Sequence, residues 1–405
     1  MSASTVIESV DINSSRLPRS VPLLALATFA LGTEAYVYAG HLTMLAADLG
    51  TSVASAGQLA TAFALTYALT APVVAGLVAR FDRRTVLVTG LLVLAGLNLA
   101  ATFAPSLGAL MALRVACGVA AGMVGPIAST AAAELAPPHL RGRAMALVLA
   151  GMTGAFVLGI PMGSVVGDIA DWRGTFGWAA ALAALAAVAL LLGLPRVPGS
   201  TGPRPAISAA LKPPVIGWIG LTAMGFAATF TVIAYVGPVV TAIAGLSGSG
   251  VGAMQALIGV GSLLGIWMGA RAADAGNPRK ALVVSLILSA ASLGGYGVLL
   301  TGAVPPGLVL FPLGFLMISG AAALFARTPL IQTALVRLAP AARPVVLGLN
   351  GSAVFAGQSL GAALGGATIA FGGLPALGAA SALVALAALP LALWLTARTA
   401  PTPAE

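Results

Sequence analysis

VPLLALATFALGTEAYVYAGHLTMLAA, residues 21–47, carries a single formal charge, Glu34. About 20 apolar residues cover the roughly 30 Å of a bilayer's hydrocarbon at 1.5 Å per residue, so this stretch is long enough to cross. From Pro22 to Glu34 is twelve residues, about 18 Å of helix, which puts the carboxyl near mid-membrane. Inserting an acid there costs about 2.5–3.5 kcal/mol, so the side chain must face protein or a water-filled cavity.

The rest of the chain repeats the pattern. Of 405 residues, 59% are hydrophobic and only 7% charged, against about 25% charged in soluble domains. Soluble globular structure is excluded. The net charge of +9 does not indicate a nucleic-acid partner, because the basic residues fall singly or in small groups between apolar runs. Cys117 is the only cysteine, which rules out an intramolecular disulfide and a cysteine-based metal site. The polar first twenty residues precede an apolar run too long for a signal-peptide core, so that run is expected to be a retained helix.

The spacing predicts helices at about 21–45, 55–79, 84–104, 107–133, 143–169 and 174–195. A second set is predicted at about 214–243, 251–272, 280–303, 307–336, 345–370 and 373–397. The runs are continuous rather than alternating, which excludes a membrane barrel. Basic residues test the count. Arg16 and Arg19, then Arg80, Arg83 and Arg84, then Arg141 and Arg143 fall on one side. Arg196, Arg204 and Lys212, then Arg271, Arg279 and Lys280 continue on that side. Arg327, Arg337 and Arg343 mark the end of the tenth helix and the connection after it, and Arg398 closes the twelfth. The other side holds Arg173 alone. Such alternation needs an even number of spans with both termini cytoplasmic.

The expected fold is thus an all-α membrane protein of twelve transmembrane helices in two six-helix bundles. Its parts are a cytoplasmic tail at 1–20, a first bundle at 21–195, a cytoplasmic linker at 196–213, a second bundle at 214–398 and a tail at 399–405. The second connection of each half, RFDRR at 80–84 and RAADAGNPRK at 271–280, is basic and carries an aspartate. That echo suggests duplicated halves, a plan common among secondary transporters.

The other nine acids fall in tails, connections or near helix ends, so Glu34 stands alone at depth. A carboxyl out of water can load and release protons near neutral pH, which is what proton coupling requires. Tyr38 and His41, four and seven residues on, are expected on its helical face. His41 lies about 28 Å along the helix and is either an interfacial hydrogen-bonding residue or a relay member. Arg114, about seven residues into helix 4, either snorkels to the headgroups or turns inward to pair with Glu34. The CGVAAGMVG that follows it is a small-residue face suited to close helix packing. In helix 7, Phe226 and Phe230 share a face and Tyr235 precedes the Gly237–Pro238 step, a row that either packs or binds. Asn350 and Gln358 in helix 11 either bond across helices or touch substrate.

At these residues the chain resembles the major facilitator superfamily, in its twelve-span drug:proton antiporter branch. GTEAYVYAGHLTMLAADLG (32–50) and AGQLATAFALTYALTAPV (56–73) resemble helices 1 and 2 of a bacterial subgroup with chloramphenicol-type and sugar-efflux permeases. LRVACGV (113–119) resembles the helix 4 motif, which implicates Arg114 in proton coupling beside Glu34. GMTGAFVLGIPMGSVVGD (151–168) and WRGTF (172–176) resemble helix 5 and its exit; Gly159, Pro161 and Gly163 then correspond to an antiporter-type kink. Three features depart from the family pattern. The loop aspartate is displaced to Asp82, the helix 1 acid stands one position early, and Thr43 occupies a frequent proline position.

The resemblance implies a central cavity lined mainly by helices 1, 4, 7 and 10. Tyr38, His41, Phe226, Phe230, Tyr235, Asn350 and Gln358 are the candidate lining residues. Asp82, Arg83, Arg84 and Asp274 are candidates for a cytoplasmic gate. The expected function is proton-coupled export of small organic compounds, neutral or lipophilic because the cavity helices hold few charges. A sugar or nucleoside efflux permease of the same fold is the alternative. A membrane-embedded enzyme would need a cluster of reactive side chains that this sequence does not offer. No cofactor and no metal are expected; the proton gradient supplies the energy. The partners are substrate, protons and lipid, for a monomer in the bacterial inner membrane.

Overall fold

The first apolar stretch is helical only as far as Tyr36, and that early stop shapes the surroundings of Glu34. The computed structural model describes residues 16–199, 212–275, 277–305 and 307–398. Most of the expected tails and linker, with Glu8, Asp11, Arg204 and Glu405, lies outside the described residues.

Among the described residues there is no strand, and eleven apolar helical stretches are long enough to cross a membrane. The longest, Pro138–Gly193, is two spans. Ala170 and Asp171 leave helical geometry, Asp171 with a φ of 55°. An aspartate tolerates that region when its side chain bonds locally, and here its carboxylate accepts the Arg173 N–H at 2.6 Å. The break falls between the predicted fifth and sixth helices.

Twelve spans result. Spans 1 to 4 are Val21–Asp48, Gln58–Val78, Arg83–Ala101 and Leu107–Leu135. Span 5 runs from Arg141 to the break and span 6 from the break to Gly193. Span 7 is Pro213–Ile233 with its continuation Val236–Ala244, followed by span 8 (Gly248–Asp274) and span 9 (Pro278–Leu300). Span 10 is Leu310–Leu338, span 11 Arg343–Gly372, and span 12 joins Ala376–Ala387 to Leu389–Arg398. Side-chain caps start several of them. Asp82 accepts the Thr85 N–H at 2.9 Å, Ser106 that of Ala109 at 3.3 Å, and Asn277 that of Lys280 at 3.2 Å.

Spans 1 and 7 differ from the unbroken helices expected for them. After Tyr36 the chain makes a short tight turn, Ala39–His41, before resuming at Leu42–Asp48. Span 7 stops at Ile233 and restarts at Val236, because Pro238 has no N–H for the Ala234 carbonyl and its ring crowds that oxygen. The two interruptions touch. A Cβ on Gly237 would strike the carbonyl oxygens of Ala39 and Gly40, so only glycine permits the approach.

Small residues set the spacing inside each half. A Cβ on Gly118 of span 4 would lie 2.7 Å from the Phe63 carbonyl of span 2. Gly261, Gly265 and Gly269 of span 8 lie against the backbone of span 10 at Ile318, Ala322 and Ala326. Between halves, span 2 packs on span 11 and span 5 on span 8. Polar bonds join the halves at the end that holds His41. Gln58 donates to the Tyr235 hydroxyl at 3.2 Å, Ser164 to Gln255 Oε1 at 2.7 Å, and the Ser249 N–H to Asp168. The other end, with Arg84, Arg141 and Lys280, is the basic end.

Of the described basic residues expected at that end, Arg327 lies elsewhere. Arg327 is 2% exposed and lies inside span 10, eleven residues before Leu338, about 16 Å of helix. The expectation that it marks the end of the span is corrected: the helix continues well past it.

Candidate functional site

Glu34 is 2% exposed and Arg114 1%, and the two meet. Arg114 Nη1 donates to Glu34 Oε1 at 3.1 Å and to the Glu34 carbonyl at 3.3 Å, while Nη2 donates to the Ala35 carbonyl at 3.0 Å. The interruption of span 1 makes this possible. The last turn of a helix leaves carbonyls without N–H partners, and the turn that ends at Tyr36 presents two to the guanidinium. Aromatic rings wall the pair, with the guanidinium carbon 4.4 Å from the Phe63 centroid and 5.3 Å from that of Tyr38.

Cys117 and Asn98 lie beside the carboxylate. Glu34 Oε2 and Arg114 Nε have no hydrogen-bond partner among the described residues. One contact through one oxygen is a looser hold than a bidentate fork. The arrangement keeps a carboxylate buried beside a cation, with Cys117 and Asn98 as its other polar neighbours.

Tyr38 stacks on Phe176 at 5.5 Å, inside the first half. His41 does not share Glu34's helical face as expected, because the turn at Ala39–His41 carries it across to span 5. There its Nε2 is 3.5 Å from Asp168 Oδ1 and its ring lies on Gly167. The WRGTF segment has a plain task at the same end. Trp172 Nε1 and Arg173 Nη1 both donate to Asp48 Oδ2, at 3.1 and 2.6 Å, tying the end of span 1 to span 6.

Gly159, Pro161 and Gly163 seat the interrupted part of span 1. Just before Pro161, at Ala155–Gly159, the helix widens to i→i+5 bonding, and the Gly159 carbonyl accepts the Trp178 N–H at 3.1 Å. A Cβ on Gly159 would strike the Thr33 hydroxyl, and one on Gly163 the Val37 side chain.

The second half holds a small apolar cavity, about 20 Å³ in this conformation. Phe156 of span 5 closes one wall; Phe230, Thr229, Tyr296, Met317 and Phe325 form much of the rest. Of the seven candidate lining residues, Phe230 faces this cavity, and Phe226 backs it through ring contacts with Phe230 and Phe325, at 6.1 and 6.0 Å. Tyr235, Asn350 and Gln358 make hydrogen bonds within or between halves. The Tyr235 hydroxyl donates to the Ala362 carbonyl at 2.9 Å, Asn350 Oδ1 accepts from Thr222 at 2.7 Å, and Gln358 Oε1 accepts from Tyr36 at 3.1 Å.

The gate candidates do not come together. Asp82 caps span 3, Arg83 pairs with Glu134 at 3.3 Å, Arg84 donates to the Leu191 carbonyl, and Asp274 is exposed at the end of span 8.

Thr229, Tyr296, Phe325, Arg327 and Asp168 were not singled out from the sequence. Only Arg327 had a signal, since the depth arithmetic that isolated Glu34 places it well inside the predicted 307–336 helix.

Two packed helical halves, one with a buried ion pair and the other with an apolar cavity, have the layout of a membrane transporter. Residues 24–328 match the sequence model of the Major Facilitator Superfamily, and the chain belongs to that family. It is 36% identical to a chloramphenicol resistance protein of Streptomyces lividans over 276 residues, 66% of this chain and 70% of the relative. It is 30% identical to the inner membrane transport protein YdhP of Escherichia coli K12 over 397 residues, 94% and 97% of the two chains. Among solved structures it resembles a bacterial homologue of the human lysosomal transporter Spinster, with a TM-score of 0.76 at 16% identity, covering 95% of this chain and 98% of that one.

Proposed function

We propose that this transporter exports small, largely lipophilic organic compounds in exchange for protons, with Glu34 as the proton carrier. The observation that carries the reading is the Glu34–Arg114 pair, buried at mid-span and held through one carboxylate oxygen. A proton on Glu34 removes the attraction for Arg114, and its loss restores it, so the two charge states favour different packing of span 1. In the cycle, Glu34 takes a proton while open to the outside and substrate leaves. The protonated carrier rocks inward, the proton escapes to the cytoplasm, and new substrate enters.

The bonds that join the halves at the His41 end support that end as one of two alternating closures. The similarity to a chloramphenicol resistance protein supports a drug-type substrate. The proton gradient drives the cycle without a bound cofactor. The chain acts as a monomer in the bacterial inner membrane, with its basic end and both termini cytoplasmic.

The test is transport in proteoliposomes with chloramphenicol as probe. Wild type is expected to accumulate it under an imposed pH gradient, and Glu34→Gln to lose gradient-driven transport while keeping substrate exchange. Full gradient-driven transport by Glu34→Gln would refute the assignment.

A further inference from the structure

Three arginines are buried among the described residues, Arg83, Arg114 and Arg327, and Arg327 lacks the carboxylate partner that the other two have. Its Nη2 donates to Ser289 Oγ at 3.2 Å, while Nε and Nη1 have no hydrogen-bond partner among the described residues. From residue 214 to residue 398 the sequence holds one acid, Asp274, which is exposed at the end of span 8. A guanidinium cannot shed its proton, so burial leaves a fixed charge short of acceptors. A buried charge in that position needs an acceptor from outside the chain.

The position of Arg327 says where the acceptor enters. The guanidinium packs directly against Gly225 of span 7, where a Cβ would lie 3.3 Å from its central carbon. Gly225, Ser289 and Arg327 form one layer across spans 7, 9 and 10. One helical turn away, Thr229, Leu293 and Leu324 on the same three spans line the apolar cavity. The three displacements agree in direction: four residues forward on spans 7 and 9, which rise from the basic end, and three back on span 10, which descends to it. The arginine layer therefore lies one helical turn beyond the cavity's lining, on the basic side. Thr229 adds a hydroxyl with no hydrogen-bond partner on the way down.

We infer that, when the halves part and the small cavity widens, it and Arg327 form one binding site for a lipophilic organic anion, its apolar or aromatic body among Phe156, Phe230 and Phe325 and its carboxylate on the guanidinium. This rests on the transporter reading above and replaces its neutral-or-lipophilic substrate class with an anionic amphiphile. The carboxylate supplies the acceptors that the second half lacks, and the rings supply the burial that selects against small inorganic anions.

The test is equilibrium binding to the purified full chain in detergent, with no pH gradient, using 1-naphthoate and its neutral counterpart 1-naphthamide. Wild type is expected to bind 1-naphthoate at least about tenfold more tightly than 1-naphthamide, the margin of a charge-assisted over a neutral hydrogen bond. Arg327→Gln should erase that preference and Arg327→Lys should keep part of it. Ala321→Phe, which fills the cavity and leaves the arginine, should abolish binding of both probes. A purely structural arginine would instead make Arg327→Met unfold at lower temperature than wild type. The site assigns Arg327→Met an unliganded stability at least equal to wild type, with 1-naphthoate stabilising wild type alone. Equal affinities in wild type, a preference kept by Arg327→Gln, binding kept by Ala321→Phe, or a less stable Arg327→Met would each overturn the inference. Such a failure leaves the proton assignment standing if Glu34→Gln still abolishes gradient-driven transport. Intact coupling in Glu34→Gln leaves this binding site standing.

Discussion

Arg114 in the first half and Arg327 in the second are equally hidden, 1% and 2% exposed, yet they keep different company. Arg114 has a carboxylate, two backbone carbonyls and two aromatic faces, all supplied by its own half. Arg327 has one hydroxyl. The first arrangement has its counter-charge without a ligand, which suits the internal event proposed for it, the gain or loss of a proton. The second is incomplete and is suited to meeting something that comes and goes. On the proposed reading the two halves do different work, with the ion pair in the first and the receptive cavity in the second.

The comparison can be broken most directly at Arg114. Arg114→Ala strands Glu34 and two freed carbonyls, and thermal unfolding in detergent is expected to show a loss of about 3–5 kcal/mol. A loss below about 1 kcal/mol would mean that the pair does not hold the first half together. Next in size is the seat of span 1. Gly163→Leu drives a side chain into Val37 and should cost about 1–3 kcal/mol in the same assay, with slowed transport. Arg327→Met should shift the same transition by nothing, or upward by about 1–2 kcal/mol, since it removes a buried charge with no counter-charge. Opposite signs at the two arginines are the sharpest form of the contrast. The smallest effect belongs to Arg83 and Glu134, whose carboxylate side is partly solvated; Glu134→Gln should change stability by less than about 1 kcal/mol.

Much of this was legible in the sequence. Twelve spans follow from run lengths and from the side on which arginines fall, and Glu34 stood out because nothing else acidic lies at depth. The interruption of span 1 was not legible. No proline marks Val37 or Tyr38, and the carbonyls it frees are held by an arginine eighty residues away. The break in span 7 was half visible, since Pro238 gave its neighbourhood but not its position. Arg327 was read with Arg337 and Arg343 as one basic group, because charge patterning weights a residue by its neighbours and not by its depth. Tyr235, Asn350 and Gln358 carry the polar atoms a binding site needs, yet helix packing satisfies those atoms first.

The guanidinium of Arg114 grips both the side chain of Glu34 and the backbone at the bend of span 1. Neutralise the carboxylate, and that cation has only the bend left to hold. On the proposed cycle, the ionisation state of one acid thereby reaches the bend of span 1 through a single arginine.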